Sequence, residues 1–528
     1  MRIFFFWIAA STALAVNVTD VVVYGGTAAG VAAAVQAARM GKSVVLVAPE
    51  KHVGGIAVDG LGGGDINNHW FRNDAALGGI AAEFYLRIGR KYGKPEPAYR
   101  YESHVAEEVF NDLLREANVR VFREERLREP LETAVEWRPG RSLSAMHLHS
   151  GQRIEGRMFL DCTIEGDLLK AAGVDTTYGR EANALYGETK NGIRAETTHA
   201  QFQVKVDPYR VPGKPESGLI PTIQDEPLGE PGMGDRNIQA FCFRLCLTQE
   251  RENQIPIEKP AGFERSLYEV YFRYVRAGGL LWTPRATLPI GKTDLGSWHD
   301  LSGNLSGMTR EWPEGNAATR RRIYTEHRSF MQGLLWLLAN DREMPESLRS
   351  EWRKWGLCKD EFTDNGGWPR QLYVRDGRRM VSEYVITESH TRRLNPVAVP
   401  DPVAVAFWPT DTHSVRRIVR NGAAYNEGFV FDDGNWGPFG VSFRALMPRR
   451  SQASNLLSPT CPSSSHVAYG ALRLEQTFLS LGQAAGTAAA LAIDKQVAVQ
   501  ELEYGALRDR LIQEGQIVSV ALVPTKQK

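Results

Sequence analysis

The stretch over residues 20–50 places the tightest constraint on how this chain can fold. It opens with three consecutive valines, Val21 to Val23, which suit a buried parallel strand. A glycine-rich turn follows, then an alanine-rich segment over 29–40 and a second apolar strand over Val44–Val47. Strand, turn, helix and strand within about thirty residues predict a βαβ unit of the size that binds a dinucleotide.

The glycine turn meets the needs of a bound pyrophosphate. Such a group is held by backbone N–H groups and by the positive end of a helix, and a side chain in the turn would obstruct its approach. In the register Gly25-x-Thr27-x-x-Gly30, threonine takes the place of the middle glycine. We expect Gly26 to supply the conformational freedom that is lost. A βαβ turn that binds nothing is the alternative.

The residues after the second strand supply further candidate contacts. The dinucleotide motif usually has an acid there for the ribose hydroxyls, but Ala48 occupies this position and Glu50 is the nearest carboxylate. Six glycines then lie between Gly54 and Gly64. A loop of this composition either lies against a flat ligand or is merely flexible.

Charge and targeting patterns bound the class of protein. The 528 residues carry 63 basic and 62 acidic side chains without a block of one sign, which argues against a nucleic-acid partner. Residues 1–15 resemble a secretory signal peptide, because Arg2 precedes an apolar run that ends in the cleavage pattern Ala13-Leu14-Ala15. We therefore expect a periplasmic or secreted protein without a stable membrane span. An uncleaved membrane anchor is the alternative.

The five cysteines are few and odd in number for an exported chain. Cys242 and Cys246 lie in the alternating segment FCFRLCLT, where four residues of strand would separate them by about 13 Å, too far for a disulfide. The spacing of cysteines and histidines offers no metal site. We expect five buried thiols, with a disulfide as the less favoured alternative, and no bound metal.

Periodicity and composition divide the rest of the chain. The predicted helices cover 78–91, 105–117, 318–341, 346–355 and an alanine-rich segment from Gly482 to Ile493. The predicted strands cover 120–122, 157–162 and 455–457, with a β-meander over 127–157. After the signal peptide we expect a nucleotide-binding part over 18–180, a substrate domain over 181–440, a return segment over 441–497, and a C-terminal helix and tail over 498–528.

The middle region is rich in tryptophan. Nine of the twelve tryptophans lie between Trp282 and Trp436. Large aromatic side chains are usually buried, so we favour a core role for them. A stacking surface for sugar rings is the alternative.

Together these segments resemble the FAD-dependent oxidoreductase family of the broad two-dinucleotide-binding flavoprotein superfamily. The matching stretches, from about residue 20 to 497, are DVVVYGGTAAGVAAAVQAARMGKSVVLV, HVGG with GLGGGD, YESHVAEEVF, FLDCTIEGDLLKAAGV, QAFCFRLCLT, GLLWLLAND, YVRDGRRMVSEYVITE and SSSHVAYGALRLEQTFLSLGQAAGTAAALA. The resemblance implies an α/β fold, with a Rossmann-like FAD-binding domain of the glutathione-reductase type and an inserted α+β substrate domain.

The resemblance also implies FAD and the contacts that hold it. The first glycine turn would face the pyrophosphate, and the glycine loop would line the isoalloxazine. A second helix N-terminus at Gly482 would stabilise negative charge on reduced flavin, with a close-packed helix pair as the alternative. The expected contacts are Gly25, Gly26, Thr27, Ala29, Gly30, Glu50, Lys51, Gly54, Gly55, Asp65, Phe122, Asp161, Gly482, Gln483 and Ala484.

Hydride transfer to flavin N5 requires a base near the substrate, and histidine titrates close to neutral pH. His466 in SSSHVAYG is preferred to His413 in PTDTHSVRR, because its segment must approach the flavin. A structural hydrogen-bonding role is the alternative for each. Arg473 and Glu475 are candidates for a substrate clamp and its partner, or for an internal salt bridge. A second, less favoured group of candidate polar residues comprises Arg375, Arg378, Arg379 and Tyr384.

The sequence therefore predicts an exported FAD-dependent dehydrogenase or oxidase. Its expected substrate is a polar small molecule such as a sugar, polyol or sugar acid, and its electron acceptor is not encoded in any motif. A flavin monooxygenase or reductase is the first alternative. A non-catalytic glycan-binding protein on a flavoprotein fold is the second.

Overall fold

The structure, a computed structural model, describes residues 18–67, 71–197, 199–297, 300–431 and 434–524; the predicted signal peptide lies outside them. None of the described helices is both long and apolar enough to cross a membrane. The helices are α1 (Ala28–Arg39), α2 (Gly79–Lys91), α3 (Ser103–Glu116), α4 (Asp167–Ala171), α5 (Asn183–Tyr186), α6 (Glu269–Arg276), α7 (Ala317–Asn340), α8 (Glu346–Trp352), α9 (Glu388–Thr391), α10 (His466–Leu472), α11 (Glu475–Lys495) and α12 (Tyr504–Gln513).

The strands fall into one large sheet and several small ones. The strands of the large sheet are β1 (Thr19–Tyr24), β2 (Val44–Val47), β3 (Arg120–Phe122), β4 (Val135–Arg138), β5 (Ser142–His147), β6 (Arg153–Asp161) and β18 (Leu456–Leu457). The small sheets are formed by β7 (Thr176–Thr177), β8 (Leu247–Thr248), β9 (Gln254–Ile255), β10 (Gly356–Cys358), β11 (Arg379–Met380), β12 (Pro402–Ala406), β13 (Asp411–Thr412), β14 (Arg416–Arg420), β15 (Ala423–Glu427), β16 (Val430–Phe431) and β17 (Phe439–Ser442).

The large sheet is built on the predicted βαβ unit. Its strand order is β3-β2-β1-β6-β5-β4, with β18 paired to β6. Val22 of β1 lies opposite Val45 of β2 on one side and Phe159 of β6 on the other, both in parallel pairs. The antiparallel strands β4, β5 and β6 form the predicted meander. The mixed α/β fold, with parallel strands typical of a Rossmann-like nucleotide-binding domain, is therefore confirmed.

Helices α1 and α11 pack closely against each other beside this sheet. A Cβ atom added to Gly482 would lie 2.2 Å from the Ala29 carbonyl oxygen, and one added to Gly486 would lie 2.4 Å from that of Ala33. The small residues around Gly482 thus serve helix packing, as the alternative interpretation held. The predicted helix start at Gly482 is wrong, because α11 begins seven residues earlier, at Glu475.

Replacing Gly482 with valine is expected to lower the free energy of unfolding by about 3 kcal/mol, because the added side chain would force α11 away from α1. Denaturant unfolding followed by circular dichroism measures this loss. Gly505 in α12 has no neighbouring heavy atom within 4 Å of its added Cβ. Gly505→Ala, the control, should gain about 0.5–1 kcal/mol from helix propensity. Equal midpoints for Gly482→Val and the unsubstituted protein would contradict the close packing.

The middle of the chain has a second hydrophobic core around α6 and α7. Trp352 and Trp368 are each 1% exposed there, and the other described tryptophans of the region are buried or half-buried. The core role predicted for tryptophan is therefore confirmed. Strand β12 lies within the predicted substrate domain, and β17 spans its predicted end at residue 440. Both strands nevertheless pack in the other hydrophobic core, which contains β1, α1 and α11.

Candidate active site

The turn between β1 and α1 leaves no room for side chains at two of its glycines. Gly25 has φ +111°, and a Cβ there would lie 2.5 Å from the carbonyl carbon of Cys162. A Cβ on Gly30 would lie 1.9 Å from the Gly25 carbonyl oxygen. The N–H groups of Ala28 and Ala29, in the first turn of α1, have no intrahelical acceptor. This turn therefore offers the free donors that a pyrophosphate requires.

Thr27 takes the place of a glycine in this turn without strain. Its φ of −71° is ordinary, and its hydroxyl accepts from the Gly30 N–H at 3.2 Å while donating to the Cys162 carbonyl at 2.7 Å. The prediction that Gly26 supplies the lost conformational freedom is wrong, because its φ is not positive. Its added Cβ would lie 2.7 Å from the Ala48 Cβ. Gly26 is needed for close packing, and Ala48 must also stay small.

The glycine loop after β2 is held directly against this turn. The Gly54 N–H donates to the Gly26 carbonyl at 2.6 Å, and Thr27 and Gly54 form a parallel bridge. Gly54 has φ +124°, and its added Cβ would lie 2.6 Å from the ring of Phe110. The added Cβ of Gly55 would lie 3.3 Å from the Thr27 Cα. These contacts bring the two predicted glycine segments to one wall.

Two adjoining cavities extend from this wall. The larger has a volume of about 600 Å³ and the smaller about 50 Å³. Both are lined by Glu50, Glu165, Gln371, Leu372 and Val374. The larger also contacts Lys51, and the smaller reaches the predicted residues Gly25, Thr27, Gly55, Arg473 and Glu475. The cavities thus form one cleft from the end of β2 to the start of α11, the elongated shape that a dinucleotide requires.

The N-terminus of α11 supplies the second helix end that the sequence placed at Gly482. The residue before the helix, Leu474, provides no side-chain cap. The first N–H groups of this buried helix therefore remain available beside the smaller cavity, where anionic groups are favoured. Sequence reasoning missed this start because the segment from Glu475 to Leu481 lacks the small residues that drew attention to Gly482.

Glu475 is a buried carboxyl group without a partner. It is 6% exposed, and its side chain forms no hydrogen bond or ion pair with another described residue. Burial raises the pKa of Glu475 to about 8. Glu50 lines both cavities, and burial together with the neighbouring Glu165 raises its pKa to about 8. Both carboxyl groups face cavities rather than protein partners, which is the arrangement expected of groups that contact a ligand.

Replacing Glu475 with glutamine is expected to stabilise the FAD-free protein at high pH. Between about pH 5 and pH 8 the unfolded chain releases a proton that the folded Glu475 retains, so the free energy of unfolding falls as pH rises through this window. Glutamine cannot ionise and removes this loss. The Tm of Glu475→Gln should exceed that of the unsubstituted protein by a few degrees at pH 8.5 and match it near pH 5.

Thermal melts across this pH range measure the effect. Glu230 is exposed and lines neither cavity, so Glu230→Gln serves as the control and should keep the original pH dependence. Identical melting temperatures for Glu475→Gln and the unsubstituted protein at pH 8.5 would show that Glu475 is not desolvated in the folded state.

Several predicted contacts lie outside the cleft. Asp161 accepts hydrogen bonds from the backbone N–H groups of Thr163 at 3.0 Å and Leu169 at 2.9 Å, so it positions the start of α4. Gln483 accepts from the Ile80 N–H at 2.7 Å and anchors α2. Neither residue lines the two cavities, nor do Gly26, Ala29, Gly30, Gly54, Asp65, Phe122, Gly482 and Ala484.

Tyr373, which sequence reasoning missed, stands at the edge of the smaller cavity among three arginines. The guanidinium carbons of Arg375, Arg473 and Arg244 lie 4.7, 5.7 and 5.8 Å from the centre of its ring. Arg473 donates to the Tyr373 hydroxyl at 2.8 Å. Arg473 therefore pairs with Tyr373 and does not form the predicted alternative salt bridge with Glu475. The available signal was Tyr373 at the start of the family-like stretch YVRDGRRM.

The charges in this cluster are unevenly paired. Arg244 contacts Asp294 at 2.6 Å, and Arg473 lies 3.5 Å from Asp411. Arg375 has no carboxylate within ion-pair distance among the described residues, and it is 1% exposed. It donates only to neutral atoms, namely those of Ala240, Cys242, Ser297 and Asn304. Asp65 adds a further negative charge that acts on Arg244 and Arg473.

The two candidate histidines occupy different places. His413 lies in the arginine cluster, with Nδ1 3.3 Å from the Asn304 amide nitrogen. Burial, together with the charges of Arg375, Arg473 and Arg244, lowers the pKa of His413 well below its usual range. It is therefore neutral and a weak base. It does not line either cavity.

His466, the preferred base, is the first residue of α10 and is enclosed by ionic groups. Its Nδ1 lies 2.9 Å from an Asp376 carboxylate oxygen, and its backbone N–H donates to Glu181 at 2.9 Å. Arg379 binds both of these acids. His466 lines neither cavity, and neither of its ring nitrogens has a hydrogen-bond partner among the described residues. Arg378 and Tyr384 of the weaker cluster also contact other groups, Glu314 and His390.

One group of possible metal ligands is present among the described residues, formed by Glu102, His104 and Glu361. The Lys292 ammonium lies 2.5 Å from Glu102 and 3.0 Å from Glu361. A protein cation thus already balances these carboxylates. We interpret the group as a buried ion-pair cluster and assign no metal to it.

Comparisons with solved structures give partial matches. The aromatic hydroxylase CabE from angucycline biosynthesis is 14% identical, with 31% of this chain and 35% of that chain covered and a TM-score of 0.23. L-proline dehydrogenase from P. horikoshii is 12% identical, with 31% and 58% covered and a TM-score of 0.23. THI4 from Thermovibrio ammonificans is 17% identical, with 31% and 66% covered and a TM-score of 0.23. The chain spans less than two thirds of each neighbour's length.

The sequence comparisons differ in outcome. A search of the curated proteins finds no match to this chain. A family model, in contrast, matches residues 20–511, nearly the whole described chain. That model is described as FAD dependent oxidoreductase. The cleft fits its cofactor, because the glycine turn at Gly25 and Thr27, the uncapped N-terminus of α11 and the Glu50 side chain border adjoining cavities. The chain therefore belongs to the FAD dependent oxidoreductase family, and its cofactor is FAD.

Proposed function

We propose that this protein is an exported dehydrogenase or oxidase that removes hydride from a polar small molecule, and that a sugar acid is the favoured substrate. The observation that carries the proposal is the unpartnered carboxyl group of Glu475. Glu475 is the first residue of α11 and lines the smaller cavity, as Arg473 and Tyr373 also do. A buried carboxyl group with a pKa of about 8 is suited to accept a proton near neutral pH.

FAD bound in the cleft supplies hydride acceptance at its N5 atom. The turn at Gly25 and the first N–H groups of α1 would hold the pyrophosphate, and Glu50 would accept hydrogen bonds from the ribose. The N-terminus of α11 would favour negative charge on the pyrimidine edge. Close packing of these segments keeps the smaller cavity narrow, with a volume of about 50 Å³.

The side chains around Tyr373 would orient the substrate. Arg473 holds the Tyr373 hydroxyl, and that hydroxyl can donate to a substrate oxygen while it accepts from Arg473. Glu475 in its ionised form would take the proton from the substrate hydroxyl as hydride leaves the carbon that carries this hydroxyl. Because this form grows as pH rises toward about 8, substrate oxidation should accelerate with pH below that value.

The arginine cluster supports an acidic substrate over a neutral sugar or polyol. Arg375 is buried with neutral partners only, while Arg244 and Arg473 each have a carboxylate neighbour. The positive end of α11 adds to the same wall. Arg473 is the arginine of this cluster that lines the smaller cavity, and a substrate carboxylate bound there would add negative charge beside it. The attraction between these opposite charges favours binding of such a group.

Export and domain organisation belong to the same proposal. The pattern over residues 1–15 supports cleavage and release to the periplasm or medium. We further propose a FAD domain of the glutathione-reductase type, formed by 18–180 and 441–497, with a substrate domain inserted over 181–440 and a terminal helix and tail over 498–528. The separate core around α6 and α7 supports the insertion.

Anaerobic reduction of the purified yellow protein tests the function. Panels of sugars, polyols and sugar acids are mixed with the enzyme, and bleaching of the flavin band is recorded. We expect sugar acids to bleach the flavin and NADH to leave it oxidised. Bleaching by NADH alone would overturn the proposal in favour of a monooxygenase or reductase. Bleaching by neutral sugars alone would overturn the acidic substrate.

A further inference from the structure

All five cysteines are buried and unpaired, as the sequence predicted. Two of them nevertheless touch: the Sγ atoms of Cys246 and Cys358 lie 3.5 Å apart. With Phe362 they form a small apolar cluster of their own. The two cysteines are 112 residues apart in sequence, so neither spacing nor a motif indicated the pair.

Strand register explains the contact. Thr248 lies opposite Gly356 and Leu247 lies opposite Leu357 in the antiparallel pair of β8 and β10. One further step along both strands places Cys246 opposite Cys358. Residues directly opposite in such a pair have Cα atoms about 4.5–5.5 Å apart, within the range that a disulfide spans. Since a disulfide needs sulfur atoms about 2.05 Å apart, rotation of both side chains about χ1 must close the remaining gap.

We propose that Cys246 and Cys358 form a disulfide when this chain folds in an oxidising compartment. The oxidant is a disulfide compound such as oxidised glutathione. One cysteine thiolate attacks it, forms a mixed disulfide and releases one glutathione thiolate. The second cysteine thiolate attacks the protein sulfur of that mixed disulfide and releases the second glutathione. Two thiol protons go to solvent, and the oxidant takes up two electrons.

Burial places this reaction during folding rather than after it. Cys358 is 0% and Cys246 is 1% exposed in the folded chain. The contact with Cys358 and burial raise the pKa of Cys246 well above its usual range, so little thiolate is present once the pair is enclosed. The folded pair should therefore exchange slowly with external thiols in either redox state.

The bond would fix one wall of the cleft. Cys242, four residues before Cys246, bridges to Tyr373, and the segment after Cys358 carries the cavity residues Asp364 and Arg370. A disulfide between Cys246 and Cys358 would link the two chain segments that meet at Tyr373. In addition, it closes a loop of more than a hundred residues, which restricts the unfolded chain. The cross-link is expected to raise the apparent Tm by about 5 °C.

The full chain is produced in two ways, directed to an oxidising compartment or kept in a reducing cytoplasm. Each preparation is denatured in the presence of an alkylating reagent, and the mass of the protein is measured by mass spectrometry. We expect three of the five cysteines to be alkylated in the first and all five in the second. Peptide mapping should find one linked pair, from the segments that contain Cys246 and Cys358. Because the compartment is chosen by the experiment, the result does not depend on natural export.

Matched serine variants identify the pair. Cys461→Ser is expected to keep the linked peptide and the gain in Tm. Cys246→Ser and Cys358→Ser should lose both and have four alkylated cysteines in either preparation. If these two variants do not fold, the linked peptide of the unsubstituted chain decides. Five alkylated cysteines in the oxidising preparation, or a bond between any other pair, would overturn the proposal.

Discussion

Gly25→Ala is expected to raise the dissociation constant for FAD at least ~100-fold. Gly25 has φ +111°, and its added Cβ would lie 2.5 Å from the carbonyl carbon of Cys162 and 2.6 Å from the Thr163 nitrogen. Both atoms belong to the backbone that follows β6, so they cannot move without separating β6 from β1. The turn would shift instead and displace the N–H groups of α1 from the pyrophosphate. Titration of the FAD-free protein, followed by flavin fluorescence, measures the change.

Gly41→Ala provides the matched control for this prediction. Gly41 also has positive φ, +77°, but no heavy atom lies within 4 Å of its added Cβ. This variant should carry about 1 kcal/mol of backbone strain and bind FAD with unchanged affinity. The comparison separates crowding in the turn from the general cost of alanine in this conformation. FAD affinity retained by Gly25→Ala would mean that the pyrophosphate does not lie at this turn.

Arg473→Met is expected to lower kcat/KM by about 100- to 1000-fold while FAD stays bound. Arg473 is 4% exposed and joins α10 to α11, where it donates to the Tyr373 hydroxyl and the Asp411 carbonyl, each at 2.8 Å. Methionine preserves much of the side-chain volume but leaves both oxygen atoms without their donor. It also removes a positive charge from the cavity wall. Anaerobic flavin reduction by the substrate found in the panel measures the rate.

The flavin midpoint potential gives a second readout that needs no substrate. Loss of the Arg473 charge should disfavour the negatively charged reduced flavin, by about 30 mV for each 1.4 kcal/mol of lost stabilisation. Arg508→Met is the control, because Arg508 is exposed on α12 and, among the described residues, forms an ion pair with its neighbour Asp509 alone. It should change neither the rate nor the potential. A midpoint potential in Arg473→Met equal to that of the unsubstituted enzyme would contradict the placement of this charge beside the flavin.

The candidate site was only partly visible in the sequence. Arg473 and Glu475 were singled out, and both line the smaller cavity. His466 was preferred on its position in the chain, yet it lies against Asp376 outside the cleft. Tyr373 was overlooked because no local pattern shows which side chains will meet Arg473 from a hundred residues away. Chemistry-bearing residue types were therefore recognisable, but their neighbours were not.

The sequence by itself determined the βαβ unit and its glycine turn, the β-meander that continues the sheet, and the burial of the cysteines and of the middle region's tryptophans. These features follow from local periodicity and from residue types whose sterics act within a few positions of the chain. Only the tertiary structure decided that Gly482 packs on α1 while Glu475 begins the helix and faces the cleft. Small residues permit either a ligand or another helix to approach, and long-range packing alone selects between them.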